Sequence, residues 1–341
     1  MPVDTSDHSR KGKKQINLST FLQHPVNVLL LTFLPNFLTR IYLGILGTAY
    51  FIFASSERKK IKIALKYSQR TQNPLGCEKK NWRLTRSNII DHYHEKLFLA
   101  FKSYNKVIKT LKNRNMVKGI KLLDQTLAGN KGAILVTGHY GAVEFIPGIL
   151  SILGYPVTVM VHCKSKKLRK VLEEKSRRSG IELLDPKSGS VFFSAVKHLK
   201  QGRILITQCD ELDMWKTYKN KKINFLGLQV GLDKSLDLLA LKSKAPVLFG
   251  LNHRLGHNRY ELEIENPEMH PSARRHELIS TKCLKVLESY IYSHPEAWYE
   301  WKKIEPFIKQ TGHNINYANK KSFSLSGKMA VHTTCSAQPC N

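Results

Sequence analysis

Residues 132–144 constrain the fold of this chain more than any other stretch. An apolar, β-branched run at 133–137 predicts a buried strand, and Gly138 ends it directly before His139. A helix-like apolar segment follows at 142–153. A buried strand that leads through a glycine into a helix is the unit from which α/β proteins build a parallel sheet. The sequence therefore predicts His139 at the carboxyl end of a strand, where active sites of open α/β sheets lie.

The spacing between His139 and Glu144 bears on what the pair can do. Positions i and i+5 of one helix diverge by roughly 140°, since each residue turns by about 100°. The two side chains therefore meet only if His139 precedes the helix on a bent loop, and Gly138 and Gly141 supply backbone freedom for that bend. In that arrangement Glu144 accepts a hydrogen bond from one ring nitrogen and leaves the other nitrogen free as a base. The alternative is a structural histidine that has a glutamate at this spacing by chance.

The rest of the chain alternates between helix-like and strand-like segments. Apolar residues recur at helical spacing through 82–129, and a lysine-rich loop is predicted at 215–222. Such alternation predicts an α/β fold with a largely parallel central sheet flanked by helices. The predicted strands are 157–161, 181–184, 203–207, 246–252 and 260–264, and the predicted helices are 165–179, 190–200, 231–242 and 276–292.

The net charge of the chain limits the classes of binding partner that we expect. The chain has 55 lysines and arginines against 26 acidic residues, a formal net charge of +29. Such an excess attracts polyanions: nucleic acid, an anionic membrane lipid surface or an acidic carrier protein. Because the sequence contains no helix-turn-helix, zinc-finger or RNA-binding motif, we do not expect nucleic acid. The six cysteines include no C-x2-C pair, so the sequence predicts no structural zinc, and we expect no metal and no cofactor.

The amino-terminal region has the composition of a membrane-associating helical segment. Residues 1–24 are polar and basic, whereas residues 25–56 are apolar apart from Arg40. A simple spanning helix needs about 20 clean apolar residues, and this run is too long for a signal-peptide core. Arg40 interrupts the run, and an arginine at mid-bilayer costs roughly 2.5–3.5 kcal/mol on insertion scales.

Basic residues flank this apolar segment on both sides. Because basic flanks prefer the cytoplasmic side, both ends favour the same face of the membrane. This pattern indicates a re-entrant or interfacial helical hairpin rather than a single span, and a buried pair of core helices is the remaining alternative. We expect a main domain at 57–307 and a polar, flexible tail at 308–341.

Four landmarks then occur in order along the chain. They are Gly138-His139-Tyr-Gly141-Ala-Val-Glu144, the segment Gly202 to Asp210, the turn Phe225-Leu226-Gly227 that leads through Gly231 to Ala245-Pro246-Val247, and His294 through Trp298 and Trp301 to Lys303. Together they resemble the lipid A biosynthesis acyltransferase family, the late acyltransferases of Gram-negative bacteria, within the lysophospholipid acyltransferase-like superfamily. The resemblance covers residues 25–307.

The resemblance implies an inner-membrane enzyme whose site faces the cytoplasm. It would transfer a fatty acyl group from an acyl-carrier protein or acyl-CoA thioester to a hydroxyl of a glycolipid acceptor. His139 would be the general base and Glu144 would orient the imidazole, while backbone N–H groups around Gly141 or a basic side chain would stabilise the thioester oxyanion.

Further residues are candidates for substrate contact or membrane contact. We predict that Arg177 and Arg178 contact a phosphate or an oxyanion of the substrate. The alternative is that they form the solvated basic end of a helix. Asp210 is predicted either to hold an arginine or lysine in the site or to cap the following loop. Trp298 and Trp301 are predicted either at the membrane interface or in the core.

Two departures from the family pattern limit the resemblance. Glu211 follows Asp210, where a glutamine or similar polar residue is common in the family, and Phe225-Leu226 replaces a common aromatic pair. The Phe-Pro-Glu-Gly-Thr-Arg block of the glycerol-phosphate acyltransferases is absent from the sequence, which argues against that branch. A hypothesis of a different class is a non-catalytic, membrane-associated protein that binds polyanions. Such a protein has the hydrophobic segment and the charge but no use for the geometry of His139 and Glu144.

Overall fold

The computed structural model describes residues 18–72, 78–162, 166–212, 217–256 and 259–310. The predicted polar amino terminus up to residue 17, the tail from residue 311, residues 215–216 of the lysine-rich loop and four of the six cysteines lie outside these described residues. Those four cysteines are Cys77, Cys163, Cys335 and Cys340.

Thirteen α-helices and nine strands occur in the described ranges. The helices are α1 (Leu18–Leu22), α2 (Pro25–Phe33), α3 (Asn36–Phe53), α4 (Ser55–Gln72), α5 (Glu78–Phe101), α6 (Tyr104–Arg114), α7 (Ile120–Leu127), α8 (Ile146–Ile152), α9 (Lys166–Ser179), α10 (Val191–Lys200), α11 (Ser235–Ser243), α12 (Ile279–Ser293) and α13 (Glu305–Gln310). The strands are β1 (Asn115–Lys118), β2 (Ala133–Thr137), β3 (Val157–Met160), β4 (Glu182–Leu184), β5 (Ile204–Gln208), β6 (Thr217–Phe225), β7 (Leu228–Asp233), β8 (Val247–Arg254) and β9 (Tyr260–Glu265). Short 3₁₀ turns cover Val143–Phe145, Pro295–Ala297 and Trp301–Lys303.

A seven-stranded sheet forms the centre of the fold, in the order β1-β9-β8-β2-β5-β3-β4. The pairs from β8 to β4 are parallel, while β9 is antiparallel to β8 and β1 is parallel to β9. All five residues of β2 are buried, as expected for a central strand covered by helices on both faces. The predicted α/β fold with a largely parallel sheet is confirmed.

Local structure differs from the sequence prediction at several places. The helix predicted at 142–153 begins later, as a 3₁₀ turn followed by α8, because the chain first bends at Gly141. The lysine-rich loop is mostly strand β6, which pairs with β7 through a turn at Leu226 and Gly227, both at positive φ. The helix predicted at 231–242 is therefore shorter: it starts at Ser235, whose N–H donates to Asp233 Oδ1 at 2.8 Å.

The edge strand β1 within the predicted helical stretch 82–129 was also missed. It is four residues long with alternating burial, and it pairs with β9. Four residues are too few for a period of two to stand out beside helix-like neighbours.

The apolar amino-terminal segment forms two helices, α2 and α3, that turn at Leu34 and Pro35. Within the described ranges, α3 is the single helix long and apolar enough to cross a membrane by length and composition. One face of α3 packs on α5, where Gly47 lies close against the side chain of Ile90. Its other side exposes the apolar side chains of Phe37, Ile41, Ile45, Ile52 and Phe53.

Helix α5 separates this apolar pair from the sheet. Asp91 of α5 accepts a hydrogen bond from Arg40 Nε at 3.0 Å, so the one charge of the apolar run faces a protein carboxylate. At the end of α5, the ammonium of Lys102 donates to carbonyls of the last turn of α2, among them Leu34 O at 2.6 Å. The helical pair is thereby fixed to the domain by polar contacts as well as by packing.

Candidate active site

His139 and Asp210 lie at the same height on neighbouring strands. Strand β2 pairs in parallel with β5, and Thr137 is opposite Gln208 in that register. His139 lies two residues beyond Thr137, and Asp210 lies two residues beyond Gln208. Because parallel strands end at the same edge of the sheet, the register brings these two side chains together.

Asp210 accepts three hydrogen bonds and is fully buried. Its Oδ1 lies 2.8 Å from Nδ1 of His139, and its Oδ2 accepts from the backbone N–H of His139 at 2.8 Å. The indole Nε1 of Trp298 also donates to Oδ2, at 2.7 Å. The carboxylate therefore holds both the backbone and the ring of His139. Because a carboxylate only accepts hydrogen bonds, Nδ1 of the ring bears a proton.

The second ring nitrogen faces the open side of this edge. Nε2 of His139 lies 3.3 Å from Oε1 of Glu211, and the ammonium of Lys303 lies 2.8 Å from Oε2 of the same carboxylate. The histidine side chain is 12% exposed, and Glu211 beside Nε2 is 29% exposed. His139 thus stands between one buried and one partly exposed carboxylate.

These contacts set the charge of the cluster. Burial lowers the pKa of His139, but the charge and hydrogen bond of Asp210, with the hydrogen bond of Glu211, outweigh burial and raise that pKa to about 10. Burial raises the pKa of Glu211, and the contacts with His139 and Lys303 outweigh it and bring that pKa to about 2. Burial likewise opposes ionisation of Asp210, yet its contacts with His139 and Trp298 lower its pKa. In the free protein the ring is an imidazolium between two carboxylates.

The loop that carries His139 is fixed from two sides. Gly141 has φ +57, and a Cβ there would lie 2.1 Å from Asn252 O, so this position needs glycine. The amide of Asn252 donates to Ala142 O at 3.0 Å, and the N–H of Tyr299 donates to His139 O at 3.1 Å. Hydrogen bonds from Asn252 and Tyr299 therefore hold the loop that carries His139 on both sides.

A buried ion pair supports the same loop from α5. Arg254 donates to both carboxylate oxygens of Glu95, at 2.8 and 2.7 Å, and to Gly141 O at 2.6 Å. Such bidentate pairs fix orientation as well as charge. The two residues are 159 positions apart, and no local pattern in the sequence connects them.

Glu144 does not make the contact predicted for it. Its Oε1 lies 3.5 Å from the ammonium of Lys96 and 3.8 Å from Nε2 of His92, both on α5. The hydrogen bond to the ring of His139 is made by Asp210 instead. The reason is the 3₁₀ turn at Val143–Phe145, which directs Glu144 towards α5.

The structure also differs from the predicted roles of the N–H groups around Gly141 and of Asp210. The N–H of Gly141 donates to Ala297 O at 3.0 Å and that of Ala142 to Asn252 O at 2.7 Å, so these N–H groups are already engaged and cannot serve an oxyanion. Among the described residues Asp210 neither caps the following loop nor holds an arginine or lysine, because its oxygens contact His139 and Trp298.

Arg177 and Arg178 are not brought to His139. They end α9, which leads through Gly180 into the amino end of β4, whereas His139 follows the carboxyl end of β2 in the same parallel arrangement. Arg177 lines a groove of about 520 Å³ beside β4, and Arg178 lies over the ring of Tyr104 at 4.3 Å.

Trp298 and Trp301 are both fully buried, so the core alternative holds and the membrane-interface alternative is wrong. Their indoles pack edge to face with centroids 4.9 Å apart. The sequence pattern placed Trp298 near the end of the domain but gave no signal that its N–H serves Asp210.

A small polar cavity of about 30 Å³ adjoins the site beside Tyr299 and His92. Oη of Tyr299 and Nδ1 of His92 are buried there without a hydrogen-bond partner among the described residues. In the same described part of the chain, no group of three or more histidine, cysteine or acidic side chains is arranged to hold a metal ion.

Comparison with known proteins gives one match. A family model described as bacterial lipid A biosynthesis acyltransferase matches residues 18–303, which is most of the chain. A search of curated proteins found no match.

Proposed function

The chain belongs to the bacterial lipid A biosynthesis acyltransferase family, and we propose that it transfers a fatty acyl group from an acyl thioester to a hydroxyl of a glycolipid, such as a lipid A precursor. Family membership supports acyl transfer in general, with an acyl donor and a lipid acceptor. The observation that carries the proposal for the site is the contact between the fully buried Asp210 and the partly exposed His139 at the carboxyl edge of the sheet. Nothing else in the described residues joins a buried carboxylate to an accessible imidazole so directly.

His139 acts as the general base in this proposal. Its neutral Nε2 accepts the proton of the acceptor hydroxyl while the hydroxyl oxygen attacks the thioester carbonyl. The imidazolium that forms is stabilised by Asp210 and then returns its proton to the thiolate that leaves. The products are an ester and a free thiol, so no acyl group is held on the enzyme. Asp210 keeps the Nδ1 proton and the ring orientation through both steps.

The tetrahedral intermediate needs a donor for its oxyanion. Because the N–H groups at Gly141 and Ala142 are engaged, a basic side chain takes this role in the proposal. Lys303 is the candidate, since its ammonium is connected to the Nε2 side of His139 through Glu211. Glu144 then acts indirectly by holding Lys96 and His92 on α5.

The donor in this proposal is an acyl-carrier protein rather than acyl-CoA, and the acceptor has an acidic group. A net charge of +29 suits an acidic carrier, a phosphorylated acceptor and anionic lipid alike. Charge alone does not rank them, so the preference for the carrier protein follows from the resemblance to the family.

We also propose that α2 and α3 lie in the interface of the inner membrane, on its cytoplasmic face. Along α3, Thr39, Leu43 and Gly47 are buried against the protein, while the side chains of Ile41 and Ile45 are exposed. Because α5 packs on α3 and carries charged side chains such as Asp91, α3 cannot be surrounded by lipid. A helix with one apolar face to lipid and one face to protein is suited to the membrane surface.

Vesicle flotation tests this placement. Ile41→Glu with Ile45→Glu puts charge on the outward face, and we expect the variant to lose binding to vesicles that contain anionic lipid. Phe193→Glu is the matched control, since Phe193 is also exposed but lies on α10. A tag before residue 18 that is reachable only from the periplasmic side would instead establish a spanning helix.

Lipid mass spectrometry tests the reaction. Cells that lack the gene should lose one acyl chain from one class of glycolipid, and the wild-type gene but not His139→Ala should restore it. The mass difference and the lipid class name the chain length and the acceptor together. An unchanged lipid profile, together with purified protein that consumes no acyl thioester, would contradict the proposed function.

A further inference from the structure

Glu211 occupies the side of His139 that the acceptor needs. Asp210 takes Nδ1, so the hydroxyl must approach Nε2, and Oε1 of Glu211 already lies 3.3 Å from that atom. At this distance a carboxylate and a hydroxyl oxygen cannot share the same position on the ring. The free enzyme therefore holds its own carboxylate where the substrate oxygen belongs.

The opposite oxygen of Glu211 has a partner of its own. Lys303 lies 2.8 Å from Oε2, and the same ammonium lies 3.4 Å from Oε2 of Glu300. Glu211 is 29% exposed, in contrast to Asp210, which is fully buried. The carboxylate thus has a second cation beside it and room to turn, so leaving His139 does not leave it without a counter-charge.

We propose that Glu211 is a positioning residue that blocks Nε2 of His139 in the free enzyme and is displaced onto Lys303 by the acceptor hydroxyl. The proposal rests on the proposed function, because it assigns Nε2 to the acceptor. It makes the base available when the acceptor is bound and keeps the base protonated when the acceptor is absent.

The proton balance follows from the contacts. In the free enzyme the imidazolium donates from Nδ1 to Asp210 and from Nε2 to Glu211. When Glu211 leaves, the cation loses one of its two carboxylates, its pKa falls, and the Nε2 proton passes to solvent. The neutral ring then takes the hydroxyl proton of the acceptor as the ester bond forms and the carbon–sulfur bond breaks, and it gives that proton to the thiolate.

Other charged groups also face the ring, and the test must separate them from Glu211. Burial lowers the pKa of His139, and Asp210, Glu211 and Glu300 raise it in that order. The titratable groups around the ring come from four places, namely Asp210 and Glu211 after β5, Tyr299 and Glu300 in the carboxyl-terminal loop, Lys303 in the last 3₁₀ turn, and His92 on α5.

The test compares Glu211→Gln with Glu300→Gln. Both replace a carboxylate beside Lys303 by an amide, but only Glu211 contacts His139. The acid limb of kcat/KM reports the free enzyme. We expect Glu211→Gln to move this limb to lower pH by about one to three units, the range for loss of a neighbouring opposite charge. Glu300→Gln should move it by less. An active Glu211→Gln variant with an unmoved limb would overturn the proposal.

The wild-type enzyme supplies a second measurement, in case Glu211→Gln does not fold. The acid limb of kcat reports the complex with substrate, in which Glu211 has been displaced. In the wild type this limb should lie at least about one unit below the limb of kcat/KM, and in Glu211→Gln the two should approach each other. Coincident limbs in the wild type would contradict displacement.

Lys303→Met sharpens the result. Without this ammonium Glu211 should stay on His139, so the KM for the acceptor should rise, and kcat should also fall because the proposed oxyanion donor is lost. The rise in KM, but not the fall in kcat, should vanish when Glu211→Gln is present as well. NMR titration of the wild type and of Glu211→Gln compares the pKa of His139 with and without the Glu211 carboxylate, and it requires no substrate. A protein that shows the expected titration but transfers no acyl group would refute the proposed function while leaving the contact in place.

Discussion

Two histidines pack against the same tyrosine ring but differ in charge, one cationic and one neutral. The ring of His92 stacks on Tyr299 with centroids 3.9 Å apart, and the ring of His139 meets Tyr299 edge-on at 5.4 Å. Burial lowers the pKa of both. For His92, Lys96 and Arg254 lower it further, to well below the ordinary value. For His139, Asp210 outweighs burial and raises the pKa to about 10.

The difference shows that a carboxylate compensates for burial only in direct contact. Asp210 lies 2.8 Å from His139 and has no cation other than this ring among its described ion pairs. Glu144 lies 3.8 Å from His92 and is shared with Lys96. An interaction that is longer and partly neutralised cannot offset the loss of solvation. The contact with Asp210 thus keeps the ring of His139 charged, whereas the weaker contact with Glu144 leaves the ring of His92 neutral.

The largest expected effect comes from replacing each of the two histidines. We expect His139→Ala to lower the acyl-transfer rate by about 10²–10⁴-fold, the usual contribution of a general base. His92→Phe retains a ring against Tyr299 and should stay within about tenfold of the wild type, since it removes no proton acceptor from the reaction. The rate is measured with purified protein, an acyl thioester and a glycolipid acceptor. Equal losses in the two variants would remove the distinction between the two histidines.

The second test replaces each carboxylate by its amide. Asp210→Asn should lower kcat by about one to two orders of magnitude, because it removes the charge that orients and stabilises the imidazolium. Glu144→Gln should cost less, since Glu144 contacts Lys96 and His92 rather than the base. A greater loss in Glu144→Gln would restore Glu144 as the orienting group.

The third test compares two buried tryptophans. Trp298 donates to the charged Asp210 at 2.7 Å, and Trp301 donates to the neutral carbonyl of Pro295 at 2.9 Å. Hydrogen bonds to charged groups contribute about 1.5–3 kcal/mol, against about 0.5–1.5 kcal/mol for neutral ones. Trp298→Phe should therefore lower the free energy of unfolding more than Trp301→Phe does, as measured by denaturant titration in detergent. The reverse order would show that packing, not the bond to Asp210, dominates at Trp298.

The pH dependence of stability has opposite sign at the two histidines. The raised pKa of His139 stabilises the fold below its unfolded value near 6.5, and this contribution is lost as pH rises towards 10. The lowered pKa of His92 makes the fold lose stability as pH falls below 6.5. Each slope is at most about 1.4 kcal/mol per pH unit.

Variants separate the two contributions. The stability advantage of the wild type over His139→Ala should shrink between pH 7 and pH 10, and its advantage over His92→Phe should shrink below pH 6.5. Denaturant titrations at a series of pH values measure both differences. A difference between the wild type and His139→Ala that stays constant up to pH 10 would mean that His139 is neutral in the folded protein.

The sequence by itself determined the local elements of the site. An apolar run of five residues predicted β2 at its observed bounds, and it placed His139 at the strand end, because burial and turn residues are local signals. The alternation of segments predicted the layered fold for the same reason. Four ordered landmarks were enough to identify the family.

Only the tertiary structure decided which carboxylate contacts the ring of His139. The sequence favoured Glu144, five positions away, whereas the fold pairs His139 with Asp210, 71 positions away. That choice depends on β5 lying next to β2, and strand order is set by long-range packing that leaves no local pattern. The same holds for Glu211 and Lys303 and for Glu95 and Arg254, whose contacts join distant segments. A sequence pattern reports which residues of a segment are buried and which are exposed. It does not report the contacts between distant segments, and those contacts form the site.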